Sequence, residues 1–329
     1  MKRVLKFLGK SILVGALIFV GLYLFGPREP IDPTITFDTA QIGEDIDGYL
    51  EASESGFDDI VDGTQKRVIW AGAAGAQTDV AVVYLHGWGA SSEEIRPVPD
   101  QVAAHLGANL YFARLKGHGR GDLAMSEPTM NDWMQDLAEA MEIGRRIGKR
   151  VVLVTTSTGG SLAIAGAAQA ETREGMAGIV LVSPNFGPVD PMAELANWPL
   201  ARTWVPALVG EWREWEPHNE LQGKYWTTRT QNVAALPMMA LVKHVREVDL
   251  GAIDLPILVI YSRDDMVVSA EKTEAAMERW GGPKEMHVRV MSDADTPSHH
   301  VIAGDIMSPT QTAGTVEIIS SWADGVLGR

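Results

Sequence analysis

The sequence predicts an α/β fold: a mostly parallel, doubly wound central sheet with helices on both faces. Three observations predict it. Short runs rich in Val and Ile, with little polar alternation, recur along the chain, as strands buried on both faces require. Longer amphipathic stretches separate these runs, and strand–helix alternation is the pattern of a parallel α/β sheet. Apolar residues make up 46% of the 329 residues and charged residues 22%, enough for a sizeable core without covalent staples.

The first element is apolar. Met1–Lys10 is basic, and residues 11–27 carry no charge. A spanning helix needs about 20 apolar residues, with about 17 as a lower limit. The run ends in Tyr23-Leu-Phe-Gly-Pro-Arg28, bulky residues with no small-residue cleavage site, which favours an uncleaved anchor over a secretory signal. The basic end belongs on the cytoplasmic side, which puts the rest of the chain on the far side. Residues 28–65 read as a polar, acidic linker and leading structure. Residues 66–329 form the main domain.

Within that domain the predicted strands are Arg67–Trp70, Val80–Leu85, Asn109–Ala113, Val151–Thr155, Gly178–Val182, Ile257–Tyr261 and His287–Met291. The predicted helices are Ser92–His105, Met130–Ile147, Ser161–Ala170, Ala270–Trp280 and Gln311–Val326. From about 185 to 245 no strand candidate occurs. That stretch holds five of the ten tryptophans and several prolines, and reads as an inserted helical lid.

Composition removes several classes of function. With no cysteine there is no disulfide, thiolate metal site or cysteine nucleophile. The formal charge is −15; residues 1–30 carry a net +4, which leaves −19 on the remainder. Phosphate backbones repel so acidic a body, so nucleic acid is not an expected partner. No histidine spacing suits a metal, no glycine loop suits a phosphate, and no cofactor is expected. Oligomeric state is not written in the sequence.

The chemistry centres on Val151-Val-Leu-Val-Thr-Thr-Ser157-Thr-Gly-Gly-Ser-Leu-Ala163. A buried strand runs into a serine, then small residues, then a helix. A nucleophile elbow needs this order, with small neighbours two before and two after the serine. Thr155 and Gly159 hold those places, so the pattern departs from the usual first glycine. A helix N-cap is the plain alternative. Its place at the end of a central strand favours Ser157 as a nucleophile.

A serine nucleophile needs a base, and the base needs a carboxylate to orient it. His299 and His300 follow the last strand, at the sheet edge where ligand sites form. Asp264 and Asp265 follow the strand at 257–261. Two backbone N–H groups are needed for the oxyanion. Thr158 follows the nucleophile, and Trp88 lies in His86-Gly-Trp-Gly89 directly after an early strand. His118, in Gly117-His-Gly119, reads as a loop-shaping residue.

These residues resemble the α/β-hydrolase superfamily, within it the monoacylglycerol lipase and carboxylesterase group placed with serine aminopeptidase-like hydrolases. The marks are His86-Gly-Trp-Gly89, Arg114-Leu-Lys-Gly-His-Gly119, Asp132-Trp133, the elbow, Asp265-Met-Val-Val268 and His300-Val-Ile302, and the resemblance runs from about Val68 to the C-terminus. It implies His300 rather than His299 as base and Asp265 rather than Asp264 as its partner, with Asp264 the fallback. It implies hydrolysis of a medium- or long-chain acyl ester through an acyl-enzyme. A thioesterase, a peptidase or a non-catalytic membrane-tethered binding protein are the other readings. The chain order Ser157, Asp265, His300 is that of the fold.

Overall fold

The computed structural model describes residues 2–329, without the side chains of residues 2–5 and 9. Among the described residues there are nine strands: β1 (Arg67–Ile69), β2 (Thr78–Leu85), β3 (Asn109–Phe112), β4 (Gly148–Thr156), β5 (Met176–Val182), β6 (Trp212–Glu214), β7 (Arg229–Gln231), β8 (Ile257–Tyr261) and β9 (Lys284–Val288). Seven form one sheet in the order β1-β3-β2-β4-β5-β8-β9. β1 runs antiparallel to β3, and every other neighbour pair in that sheet is parallel.

The Val/Ile runs are buried on both faces, as their lack of alternation demands. In β4, Val151 and Leu153 join one core with Met134, Leu137 and Met141 of the helix Met130–Ile147. Val152 and Val154 point the other way, into a second core with Val98, Val102 and Trp322. The central strands therefore present no polar face, and their backbone groups are satisfied within the sheet. The helix 130–147 starts on a reciprocal cap, in which Thr129 and Asp132 each bond the other's backbone N–H.

The segment 28–65 carries the helix Ile46–Glu54, and Ile42, Ile46 and Leu50 are buried in the first core. The last strand lies at 284–288, three residues earlier than the sequence suggested. Its position is set by pairing with β8, from Ile257 with Lys284 to Tyr261 with Val288. As an edge strand it is half exposed, and its apolar pattern was a poor guide to its limits.

Between β5 and β8 the chain makes a long excursion containing the helices Ala201–Val209, Glu220–Tyr225 and Leu236–Glu247. The expectation of no strand here is corrected: β6 and β7 pair antiparallel, Trp212 opposite Gln231. Three-residue strands are too short to leave a periodic signal.

The helix Lys2–Phe25 contains a 20-residue stretch, Lys6–Phe25, of mean hydropathy 2.0. By length and composition alone it could cross a membrane. Its end meets the excursion. The Tyr23 and Trp198 rings are 5.6 Å apart and edge-on, Leu200 N donates to Pro27 O at 2.6 Å, and Arg202 pairs with the buried carboxylate of Glu29 at 2.6 Å.

Candidate active site

β4 delivers Ser157 to the carboxyl edge of the sheet, and the helix Thr158–Ala167 begins at the next residue. Ser157 has φ 50° and ψ −115°, a conformation an L-residue holds only under constraint. The small neighbours are structural requirements. A Cβ on Gly159 would run into the carbonyl oxygens of Leu85 and His86. Thr155, where the pattern departs from glycine, is fully buried and donates its hydroxyl to Val180 O at 2.9 Å. Its polar group is thus spent on the next strand rather than left bare.

The structure brings Ser157, His300 and Asp265 together. Ser157 Oγ lies 3.0 Å from His300 Nε2, and His300 Nδ1 lies 2.8 Å from Asp265 Oδ2. All three are buried. The other Asp265 oxygen accepts the N–H groups of Val267 and Val268 at 2.8 and 2.9 Å. Asp264 is exposed and takes no part in this row. His299 has φ 54° and its Nδ1 meets no partner. Burial resists a charge on His300, but the hydrogen bond and charge of Asp265, with Glu94 beyond, outweigh it and raise the pKa above 6.5.

Trp88 and Thr158 line the same cleft as Ser157. Thr158 is the first residue of its helix, where an N–H has no acceptor within the helix. The loop carrying Trp88 is held at both ends. His86 Nε2 accepts Leu115 N at 3.1 Å, and its Nδ1 donates to Gly87 O at 2.9 Å. Those bonds require neutral imidazole, and burial holds the pKa of His86 down to about 4. Further along the loop, Gly89 O accepts Thr227 N from the excursion at 2.8 Å.

The cleft measures about 610 Å³. Its walls include Trp88, Trp215, Trp226, Met238, Met239 and Val267, a mostly apolar set drawn from both the sheet edge and the excursion. His118 does not line it. It packs between His86 and Trp133, with ring centroids 4.8 and 5.8 Å away and the rings tilted. Lys116, in the same loop, accepts Trp133 Nε1–H on its carbonyl at 3.1 Å and pairs with Asp132 at 2.6 Å.

Sequence reasoning missed Glu94. Its carboxylate is 2% exposed, accepts Gly87 N at 2.7 Å and the Tyr84 hydroxyl at 3.0 Å, and lines the cleft with Ser157 and His300. Burial pushes its pKa up to about 7, against the Gly87 amide, His300 and Tyr84. In sequence it is one of two adjacent glutamates, and nothing there says which is buried. Asn185 was also missed; it lines the cleft with Oδ1 unpartnered. Among the described residues no cluster of His, Asp and Glu could hold a metal.

Residues 76–292 match the family described as serine aminopeptidase, S33. No curated protein sequence matches significantly. Among solved structures, the chain is similar to one reported for two metagenome-derived lipolytic enzymes, at TM-score 0.64 and 20% identity over 82% of this chain and 100% of that one. It is also similar to the monoacylglycerol lipase of Paleococcus ferrophilus, at TM-score 0.56 and 16% identity over 78% of this chain and 98% of the other. A soluble variant of Saccharomyces cerevisiae monoglyceride lipase gives TM-score 0.57 and 14% identity over 80% and 93%. At these identities the likeness is one of fold. With two thirds of its length matched, the chain belongs to the serine aminopeptidase S33 family of α/β hydrolases.

Proposed function

We propose that the protein is a serine esterase that cleaves lipid-derived or medium- to long-chain acyl esters through an acyl-enzyme. The observation that carries this reading is the 3.0 Å contact of Ser157 Oγ with His300 Nε2, set in an apolar cleft of about 610 Å³. In the proposed reaction His300 takes the Ser157 proton as Oγ attacks the ester carbonyl. Asp265 fixes the tautomer with Nε2 free and stabilises the imidazolium that forms. The N–H groups of Trp88 and Thr158 receive the oxyanion. The imidazolium then protonates the leaving alcohol, and water attacks the acyl-enzyme by the same route in reverse. No step calls for a cofactor.

The apolar helix at 6–25 and its basic flank support a single N-terminal membrane anchor (residues 1–27), with the catalytic domain (66–329) on the non-cytoplasmic side. In this reading residues 28–65 lead from the anchor to that domain, and 185–245 form the lid. The lid's contact with the anchor through Trp198 supports a lipid-derived substrate.

Labelling of purified protein with a fluorophosphonate probe, wild type against Ser157→Ala, tests the nucleophile. Hydrolysis of p-nitrophenyl esters from acetyl to palmitoyl, with thioester and anilide counterparts, tests the substrate class. Labelling and ester turnover lost in the variant is the expected result. Faster turnover of the thioester or anilide would shift the reaction class. A folded wild type that does not label would replace the esterase with a binding protein.

A further inference from the structure

The proposed catalytic groups leave one buried carboxylate in the cleft unused. Glu94 connects two parts of the site that come from different strands. Its Oε2 accepts Gly87 N, one residue before Trp88, and also the hydroxyl of Tyr84. The Tyr84 hydroxyl in turn lies 3.0 Å from Thr156 Oγ1, one residue before Ser157. A continuous row therefore runs from the loop with Trp88, through Glu94 and Tyr84, to the strand end that holds the serine. The approach is close: a Cβ added at Gly87 would be 2.8 Å from Glu94 Oε1 and 3.2 Å from Ser157 Cβ.

Packing alone does not account for a carboxylate here. A buried ionisable group costs free energy unless hydrogen bonds and charges compensate it, and a glutamine or leucine would fill the volume without that cost. The groups that face Glu94 are few. From β2 comes the Tyr84 hydroxyl, from the loop the Gly87 amide, and across the cleft His300 with Asp265 behind it. The neighbouring Glu93 is half-buried and is neutralised by Arg67 at 2.8 Å and Arg96 at 2.9 Å. Of the other charged or titratable groups that line the cleft with Glu94, namely Asp190, Arg213 and His300, the His300 charge is the one that lowers the Glu94 pKa.

We propose that Glu94 is a positioning residue: its carboxylate fixes the loop that carries Trp88 against the nucleophile strand and biases His300 toward its protonated form. This rests on the reading of Ser157 and His300 as nucleophile and base. Burial raises Glu94 so that it ionises near neutral pH, and each group's charge favours the opposite charge on the other. The protonation of one therefore bears on that of the other. A protonated His300 cannot act as base, so the acid limb of the activity profile reports this pair.

Glu94→Gln keeps an acceptor oxygen for Gly87 N–H and the Tyr84 hydroxyl while removing the charge. Glu94→Asp keeps the charge and shortens the reach. Two readouts apply to each: the pH profile of kcat/KM, and the His300 imidazole titration followed by NMR, which needs no turnover. In Glu94→Gln the His300 midpoint should fall by about half a pH unit or more, with the acid limb of kcat/KM moving down equally. In Glu94→Asp the midpoint should stay with wild type while kcat falls and KM holds. An unmoved His300 midpoint in a folded Glu94→Gln protein overturns the proposal. So does a loss of activity in both variants with unchanged midpoints. Because the NMR midpoint is independent of turnover, it separates this outcome from failure of the esterase reading, which the fluorophosphonate probe reports. If Glu94→Gln does not fold, the Glu94→Asp midpoint decides: a shift of half a unit with the charge retained overturns the proposal.

Discussion

Asp265 divides its two oxygens: Oδ2 meets His300 Nδ1 at 2.8 Å, while Oδ1 is pinned by the amides of Val267 and Val268. The carboxylate cannot rotate away from the imidazole without breaking both hydrogen bonds from those amides. Asp265→Asn should therefore lower kcat by about a thousandfold or more, the scale set by loss of the orienting carboxylate in a serine triad. Asp264→Asn, on an exposed side chain, should leave kcat within about twofold. Steady-state kinetics on one p-nitrophenyl ester checks both. A reversed order would move the orienting role to Asp264.

Gly159→Ala forces a Cβ into the Leu85 and His86 carbonyls, which are backbone and cannot swing aside. The end of β2 would shift, and with it the loop that carries Trp88. The expected cost is about 1–3 kcal/mol of stability and at least about tenfold in kcat/KM, from displaced reacting groups. Urea unfolding together with kinetics reads both. Unchanged kinetics would mean that the loop tolerates the movement.

Burial holds His118 well below its usual pKa, next to His86 and with the Lys116 carbonyl on Nδ1. In the unfolded chain it binds a proton near pH 6.5, whereas in the fold it stays neutral to much lower pH. The unfolded state therefore takes up the extra proton, and this contribution to stability is lost as pH falls below 6.5. His118→Phe has no proton to gain. Its stability relative to wild type should rise by up to about 1.4 kcal/mol per pH unit on acidification below that point. Denaturant melts at pH 7, 6 and 5 test the slope; parallel curves would mean that His118 is not held neutral.

Removal of residues 1–27 should leave hydrolysis of soluble short-chain esters close to wild type. Turnover of long-chain esters presented in vesicles should fall about tenfold or more, since the two-dimensional encounter is lost. Equal activity on both substrates would remove the membrane from the proposed reaction.

What was legible in the sequence follows from chain locality. Ser157 stood out because strand, serine, paired glycines and helix are contiguous. The central strands stood out because burial on both faces removes alternation, as in Val151–Val154. The pairs of neighbours were harder. Asp264 and Asp265 differ only in which side of a turn they face, and that depends on the Val267 and Val268 amides. Glu93 and Glu94 differ in the same way: one meets Arg67 and Arg96, the other goes inward to Gly87 and Tyr84. The β6–β7 hairpin was illegible because three residues carry no period.

Thr155 has a consequence for finding other proteins of this kind. Two residues before the serine, the fold requires only that a side chain stay out of the helix's path and leave no polar atom stranded. The hydroxyl bonded to Val180 O meets both conditions. A genome search keyed to glycine at that position would pass over this chain. A pattern that admits threonine there, conditional on a preceding run of branched residues and a glycine two places after the serine, would recover it and any relatives built on the same substitution.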